Sequence, residues 1–337
     1  MDILIGIMQK KKNKGLNKHA NSASHIQAMV TTRTALKGIE KMMRFGGPNC
    51  WNQSNSTSNW AVAIGVGVVT VSGLLYVLKR CKCKRKIDYP KDVIILHLIP
   101  RLKDTPNLSP FAVKLETYLR MTKLPYQVDY CFDMSPKHKT PWITYNGEVV
   151  SDSQFIIEYL NEKFNIDLSS HLTDEQRGVA RAMRKMLEED LLWALALSRW
   201  VYGYSDPSLR KVIPAPRFFV WRIKRMLEKY AYGQGMGRHT PSEVEHIAMG
   251  DLKALSDFLG KKKFLMGVNP CETDCAVFGM MSSFEKMPDG SFFTKVLKDK
   301  LFPNLDAYRE RMKELYWPDW VIPGWEGPVM GLQPRRP

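Results

Sequence analysis

The most restrictive feature of the sequence is an unbroken run without charged residues, Trp60 to Leu78. As a helix this run would be about 28 Å long, close to the hydrocarbon thickness of a bilayer, about 30 Å. Trp60 and Tyr76 stand near its two ends, where amphipathic rings favour the membrane–water interface. A buried helix or strand of a soluble core is the alternative. The run predicts a transmembrane helix over residues 60–78.

The charge around this run predicts an orientation. The formal net charge is +16, and residues 1–91 hold sixteen Lys and Arg against three acids. The twenty residues before Trp60 hold two basic residues and the twenty after Leu78 hold seven, so the positive-inside rule places the C-terminal part in the cytosol. We expect a disordered basic tail over 1–59 and a basic juxtamembrane linker over 79–91. A mitochondrial outer membrane, the endoplasmic reticulum and the plasma membrane all remain open.

Further expectations concern lipidation, nucleic-acid binding and disulfides. Cys81 and Cys83 lie among lysines just after the predicted transmembrane helix, where the thiols are either S-acylated or unmodified; the lipid bilayer is the expected partner of this segment. The chain after residue 91 is nearly balanced in charge, which argues against a nucleic-acid-binding domain. Six cysteines in 337 residues do not indicate a disulfide framework.

Residues 92–166 predict an α/β domain. The apolar run Val93–Ile99 has the length of a buried strand, and Phe111–Thr122 repeats apolar residues at helical spacing. A strand follows at Tyr126–Phe132, and Asn146-Gly147 is typical of a type I′ turn in a hairpin. A second helix is predicted over Asp152–Phe164.

Residues 171–320 predict an all-helical domain. Thr173-x-x-Gln176 and Ser242-x-x-Glu245 have the pattern of capping boxes at helix starts. The first opens a long apolar-striped helix that we expect to run to about Gly203. The Gly- and Pro-rich residues 321–337 are expected to be a disordered tail.

Three motifs of the α/β part resemble the thioredoxin-like half of glutathione transferases. They are S-P-F at 109–111, T-P-W-I at 140–143 and N-G-E-V-V-S-D-S at 146–153. The resemblance implies a cis Pro141, a backbone contact from Thr140 to glutathione, and a γ-glutamyl contact from Asp152 and Ser153. Simple N-capping of the helix by Asp152 or Ser151 is the alternative. The expected fold class is an α/β thioredoxin-like N-terminal domain plus an all-α glutathione-transferase-like C-terminal domain, preceded by one transmembrane helix.

Other segments extend the resemblance along the chain. D-V-I-I-L-H, the stretch 181–200 and L-Y-W-P-D-W at 315–320 are similar to the failed axon connections family, which is related to metaxins and to nematode cadmium-responsive proteins. This implies a role in axon development. A mitochondrial outer-membrane component like the metaxins is an alternative.

The resemblance also assigns a candidate catalytic residue. Ser109 stands at a predicted helix start, the position where serine- or cysteine-type transferases stabilise the glutathione thiolate; a turn residue before proline is the other interpretation. No cysteine lies at 109 or 112, and the segment 131–140 is short. Cys271, Cys275 and His97 are interpreted as core residues, and no metal is expected. We expect a scaffold with protein partners or a homodimer, and keep a glutathione-dependent transferase or stress-response enzyme as the alternative.

Overall fold

A mixed β-sheet forms the first half of the folded chain. In the computed structural model, residues 89–102, 104–213, 215–321 and 331–334 are described. The sheet has five strands in the order β4-β3-β1-β2-β5. The strands are β1 (Ile94–Leu98), β2 (Tyr126–Tyr130), β3 (Trp142–Tyr145), β4 (Glu148–Ser151) and β5 (Gly331–Pro334).

The sequence explains this sheet strand by strand. Every residue of β1 is buried, as its continuous apolar run predicted. β1 and β2 are parallel and are connected through helix α1 (Pro110–Thr122), while β3 pairs antiparallel with β1 and with β4. Asn146 and Gly147 both have positive φ, 47° and 87°, which confirms the predicted tight hairpin turn. Helix α2 (Ser153–Phe164) closes the α/β half.

β5 lies within the segment that the sequence predicted to be disordered. Residues 331–334 pair antiparallel with β2, with Gln127 opposite Pro334 and Tyr130 opposite Gly331. Strand pairing at a sheet edge uses backbone groups, so a segment without a period-2 pattern still joins the edge. The expectation of disorder over all of 321–337 is corrected for these four residues.

Helices make up the second half, as predicted. The Thr173–Gln176 capping box starts α3 with both reciprocal hydrogen bonds. The expected long helix is interrupted by a π-helical turn at Leu187–Leu191. The helices are α3 (Asp174–Met186), α4 (Leu192–Trp200), α5 (Leu209–Val212), α6 (Arg217–Gln234), α7 (Pro241–Leu259), α8 (Glu272–Ser282), α9 (Phe292–Lys298) and α10 (Pro303–Tyr316).

Helix α8 is the central element of the core, since all of its residues from Thr273 to Ser282 are buried. It packs against α1 at Gly279, where a Cβ would lie 2.4 Å from the carbonyl oxygen of Pro110 and 3.0 Å from the amide nitrogen of Lys114. Both atoms belong to the backbone, so neither can move away as a flexible side chain would. This contact joins the helical half to the α/β half.

Gly279→Ala is therefore expected to lower the free energy of unfolding by about 3 kcal/mol, the upper range for overpacking a core. Gly250→Ala in α7 is the matched control, because a Cβ there meets no atom within 4 Å. That control should stabilise the protein by about 0.5 kcal/mol through the unfolded state. Urea denaturation of the two variants measures both values, and equal midpoints would contradict the close packing of α8 on α1.

The predicted fold class is corrected in one part. No helix among the residues described here is long and apolar enough to cross a membrane, whereas the prediction placed one transmembrane helix before the folded domains. Residues 60–78, for which that helix was predicted, lie outside the described residues, as do Cys81 and Cys83, the predicted lipidation sites. The thioredoxin-like and helical halves agree with the prediction.

Candidate functional site

A groove of about 340 Å³ lies between the N-terminus of α2 and the helices of the second half. One wall comes from the α/β half and the other from α3, the π-helical turn and the start of α4. Its lining residues are Phe111, Lys139, Thr140, Asp152, Ser153, Gln154, Phe155, Glu158, Arg181, Arg184, Lys185, Glu188, Glu189, Leu192 and Trp193.

Three of the predicted glutathione-binding residues meet in this groove. Thr140, Asp152 and Ser153 line it, and the fourth, Pro141, follows Thr140 through a cis peptide bond. Asp152 is the N-cap of α2, with an unusual φ of 84°, and its Oδ1 accepts a hydrogen bond from the amide of Gln154 at 3.1 Å. Asp152 therefore caps helix α2 and also lines the groove.

The Asp152 carboxylate already has a cationic partner in the chain. Lys139 Nζ lies 2.5 Å from Asp152 Oδ2, with the two side chains 41% and 25% exposed. Burial raises the pKa of Asp152, but the hydrogen bond and charge of Lys139 outweigh it and lower that pKa below its ordinary value. Asp152 is thus held ionised and paired with an ammonium group of the chain itself.

Carboxylates on the helical wall of the groove are also paired with cations of the chain. Glu188 in the π-helical turn forms ion pairs with Lys114 Nζ at 2.7 Å and with Arg184 at 3.1 Å, and all three side chains are buried. At the rim, Lys185 pairs with Glu189 at 3.0 Å. Three of the groove's four carboxylates therefore have cationic partners from the chain.

Ser109, the candidate catalytic residue, does not line the groove. It is the N-cap of α1 and only 1% exposed. Its amide donates to Asn107 Oδ1 at 2.9 Å, and its Oγ finds no hydrogen-bond partner among the described residues. Phe111, two residues later, is the residue of this turn that reaches the groove.

Sequence reasoning missed the residues that neutralise the groove. Lys139 stands directly before Thr140 in the K-H-K-T-P segment, so its proximity to the site was visible, but its pairing with Asp152 was not. Arg184 and Glu188 have the i,i+4 spacing of a helical ion pair, which is a usable signal. Lys114 gave no signal, because a lysine in an amphipathic helix usually faces solvent.

Comparisons with known proteins agree with this architecture. The model of the glutathione S-transferase N-terminal domain matches residues 110–205, and that of the glutathione S-transferase C-terminal domain matches residues 248–312. The isoprene-epoxide–glutathione S-transferase of Rhodococcus sp. is 30% identical over 225 residues, and the match covers 63% of this chain and 94% of that enzyme. The chain belongs to the glutathione S-transferase family.

Within this family the chain is related to Failed axon connections and to the metaxins. Failed axon connections of Drosophila melanogaster is 33% identical over 255 residues, which cover 70% of this chain and 60% of that protein's length. Metaxin-1 of Sus scrofa is 30% identical over 66% of this chain and 73% of its own length. The predicted relationship to both groups is confirmed.

Solved structures share the fold. The glutathione transferase GSTFuA3 from Phanerochaete chrysosporium superposes with a TM-score of 0.50, at 14% identity, over 68% of this chain and 100% of that one.

Proposed function

We propose that this glutathione transferase-like protein is a non-catalytic binding scaffold. The observation that supports the proposal most is the Lys139–Asp152 ion pair in the groove. A glutathione molecule would need that carboxylate for its α-ammonium group, which is the contact implied by the family resemblance. The ligand would have to displace an ammonium group that is covalently part of the chain.

The position of Ser109 also supports the proposal. A hydroxyl that activates a thiol must lie within about 3 Å of the sulfur in the bound complex. Ser109 is buried, and the residues that line the groove do not include it. A thiol in the groove would thus meet Phe111 rather than a hydroxyl donor at the start of α1.

A scaffold also needs a surface for other proteins, and α6 offers one. Phe218, Trp221 and Tyr232 on its outer face are 67%, 46% and 61% exposed, and Arg222 lies between them over the Phe218 ring. Tryptophan, tyrosine and arginine are the residue types that dominate binding energy at protein interfaces. We take the partner to be a protein surface that carries carboxylates, because Arg222 is exposed on this face, whereas Arg225 already pairs with Glu228 at 3.2 Å.

The name of the relative Failed axon connections suggests the process, so we propose a role in forming axon connections. In flies lacking that protein, expression of this chain should restore axon connections, and Ser109→Ala should restore them equally well. Trp221→Ser together with Arg222→Ser should fail to do so while the protein remains folded. Loss of rescue in Ser109→Ala alone would contradict a scaffold role.

Lys139→Ala is expected to strengthen glutathione binding by about fivefold, which corresponds to removing a competing ion pair of about 1 kcal/mol. Isothermal titration calorimetry with glutathione measures the change in the full chain. Lys137→Ala is the matched control, since Lys137 lies in the same loop and contacts Phe155 instead of Asp152. Asp152→Asn in the Lys139→Ala background should remove the gain. Tight binding by the unmodified chain would contradict the proposal.

A glutathione-dependent transferase is the second candidate. Two observations favour it: the Rhodococcus transferase matches over almost its whole length, and Thr140, Asp152 and Ser153 still share one groove. If this candidate is right, Ser109→Ala should lower turnover by orders of magnitude with little change in glutathione affinity, because the lost hydrogen bond acts on the thiolate.

A further inference from the structure

Three side chains of the types that bind metals meet on one face of the sheet, and none of them lines the groove. The parallel register of β1 and β2 places His97 directly beside Asp129. Side chains two residues apart in a strand point to the same face, and the β2 ladder continues past its end, because the Cys131 amide donates to Leu98 at 2.8 Å. An imidazole, a carboxylate and a thiol therefore converge at the carboxyl ends of two parallel strands.

The distances suit a common centre. His97 Nδ1 lies 3.2 Å from Asp129 Oδ2, and one donor atom from each of the three residues lies within 4.8 Å of the others. His97 and Asp129 are buried, whereas Cys131 is partly exposed. The imidazole and the carboxylate thus lie inside the fold, and solvent reaches the three side chains at Cys131.

We propose that His97, Asp129 and Cys131 form a binding site for a zinc-like divalent cation. Zinc accepts nitrogen, carboxylate oxygen and thiolate sulfur, commonly from three protein ligands plus water. The magnesium and calcium alternatives require oxygen ligands throughout, which a site with an imidazole and a thiol does not supply.

The surroundings of His97 fit a metal ligand. His97 Nε2 lies 2.9 Å from Thr144 Oγ1, and a hydroxyl can accept as well as donate. With the proton on Nε2, Nδ1 keeps its lone pair for a cation; without a cation, Nδ1–H donates to Asp129. Trp142 stacks on the imidazole with ring centroids 3.5 Å apart and fixes its plane. Such outer contacts orient ligating histidines in metal sites.

The electrostatics of the cluster favour a cation. The Asp129 carboxylate is buried, and its oxygen lies within 4.8 Å of both the His97 ring nitrogen and the Cys131 sulfur. Tyr89 donates a hydrogen bond to Asp129 Oδ2 at 3.0 Å. A divalent cation would supply the charge opposite to that of the buried carboxylate. Its binding would replace the thiol proton, so one proton would leave per cation bound at neutral pH.

The test is titration of the full chain with Zn²⁺ and Co²⁺, with Cys50, Cys81 and Cys83 changed to serine to remove thiols elsewhere. We expect one cation per chain, release of one proton in calorimetry across two buffers, and a thiolate-to-cobalt charge-transfer band. Cys131→Ser should abolish that band and weaken binding by more than about 100-fold. Cys271→Ser, a buried thiol of another site, is the control and should leave binding unchanged.

A second variant separates ligation from folding. Thr144→Val keeps the shape of the side chain but removes the partner of His97 Nε2, and should weaken Zn²⁺ binding by about 10- to 100-fold. Circular dichroism confirms that each variant is folded. The proposal is overturned if the full chain binds neither cation at micromolar concentration, or if binding persists unchanged in Cys131→Ser.

Discussion

Asp274→Ala is expected to lower the free energy of unfolding by about 4 kcal/mol. The Asp274 carboxylate is fully buried and accepts hydrogen bonds from the amides of Leu265 at 2.9 Å and Cys271 at 2.7 Å, and from the Tyr308 hydroxyl at 2.9 Å. Alanine would leave the two buried amides without an acceptor, each at a cost of about 1–3 kcal/mol, while the Tyr308 hydroxyl would keep its second acceptor, the Asp274 backbone carbonyl oxygen at 3.1 Å. Chemical denaturation of the variant measures the loss.

Asp257→Ala provides the control for this prediction. Asp257 pairs with Lys253 on the exposed face of α7, and pairs of that kind contribute less than about 1 kcal/mol. A small effect at Asp274, comparable with that at Asp257, would show that the start of α8 does not depend on this carboxylate.

Lys114→Met is expected to destabilise the protein by about 3 kcal/mol, because it breaks a buried ion pair from one side. Lys114 is 1% exposed, and its Nζ donates to Glu188 at 2.7 Å and to Gln154 at 2.8 Å. It thereby ties α1 to α2 and to the π-helical turn. Thermal or chemical unfolding of the variant measures the cost.

A double-mutant cycle isolates this interaction. Glu188→Gln removes the opposite charge while keeping an acceptor for Arg184, which lies 3.1 Å from Glu188. The double variant Lys114→Met with Glu188→Gln should be more stable than the sum of the single effects by about 1–3 kcal/mol. Strict additivity would mean that the charge of Lys114 contributes nothing to the junction of the two halves.

The sequence predicted most of the local structure because its signals are local. The buried strand β1, the Asn146-Gly147 turn and the capping box at Thr173 each depend on a few adjacent residues, and each is present. The second capping box was placed two residues too late: α7 starts at Pro241, with Thr240 and Glu243 forming the reciprocal bonds. At the start of α8, Asp274 supports the first turn by accepting a hydrogen bond from the Cys271 amide at 2.7 Å.

Long-range pairings were beyond sequence reasoning. The contact of β5 with β2 joins residues about two hundred positions apart through backbone groups, which carry no sequence signal. The ion pairs Lys139–Asp152 and Lys114–Glu188 were also not predicted, because their partners come together only when the chain has folded. His97 was interpreted as a core histidine, and it is buried, but its proximity to Cys131 required the strand register.

The most direct test of a non-catalytic role is a conjugation assay on the purified full chain with glutathione and an aryl halide. The unmodified chain should give no rate above the uncatalysed reaction, because Lys139 forms an ion pair with the Asp152 carboxylate and Ser109 is buried outside the groove. Robust turnover that disappears in Ser109→Ala and persists in Cys271→Ser would contradict the proposed function.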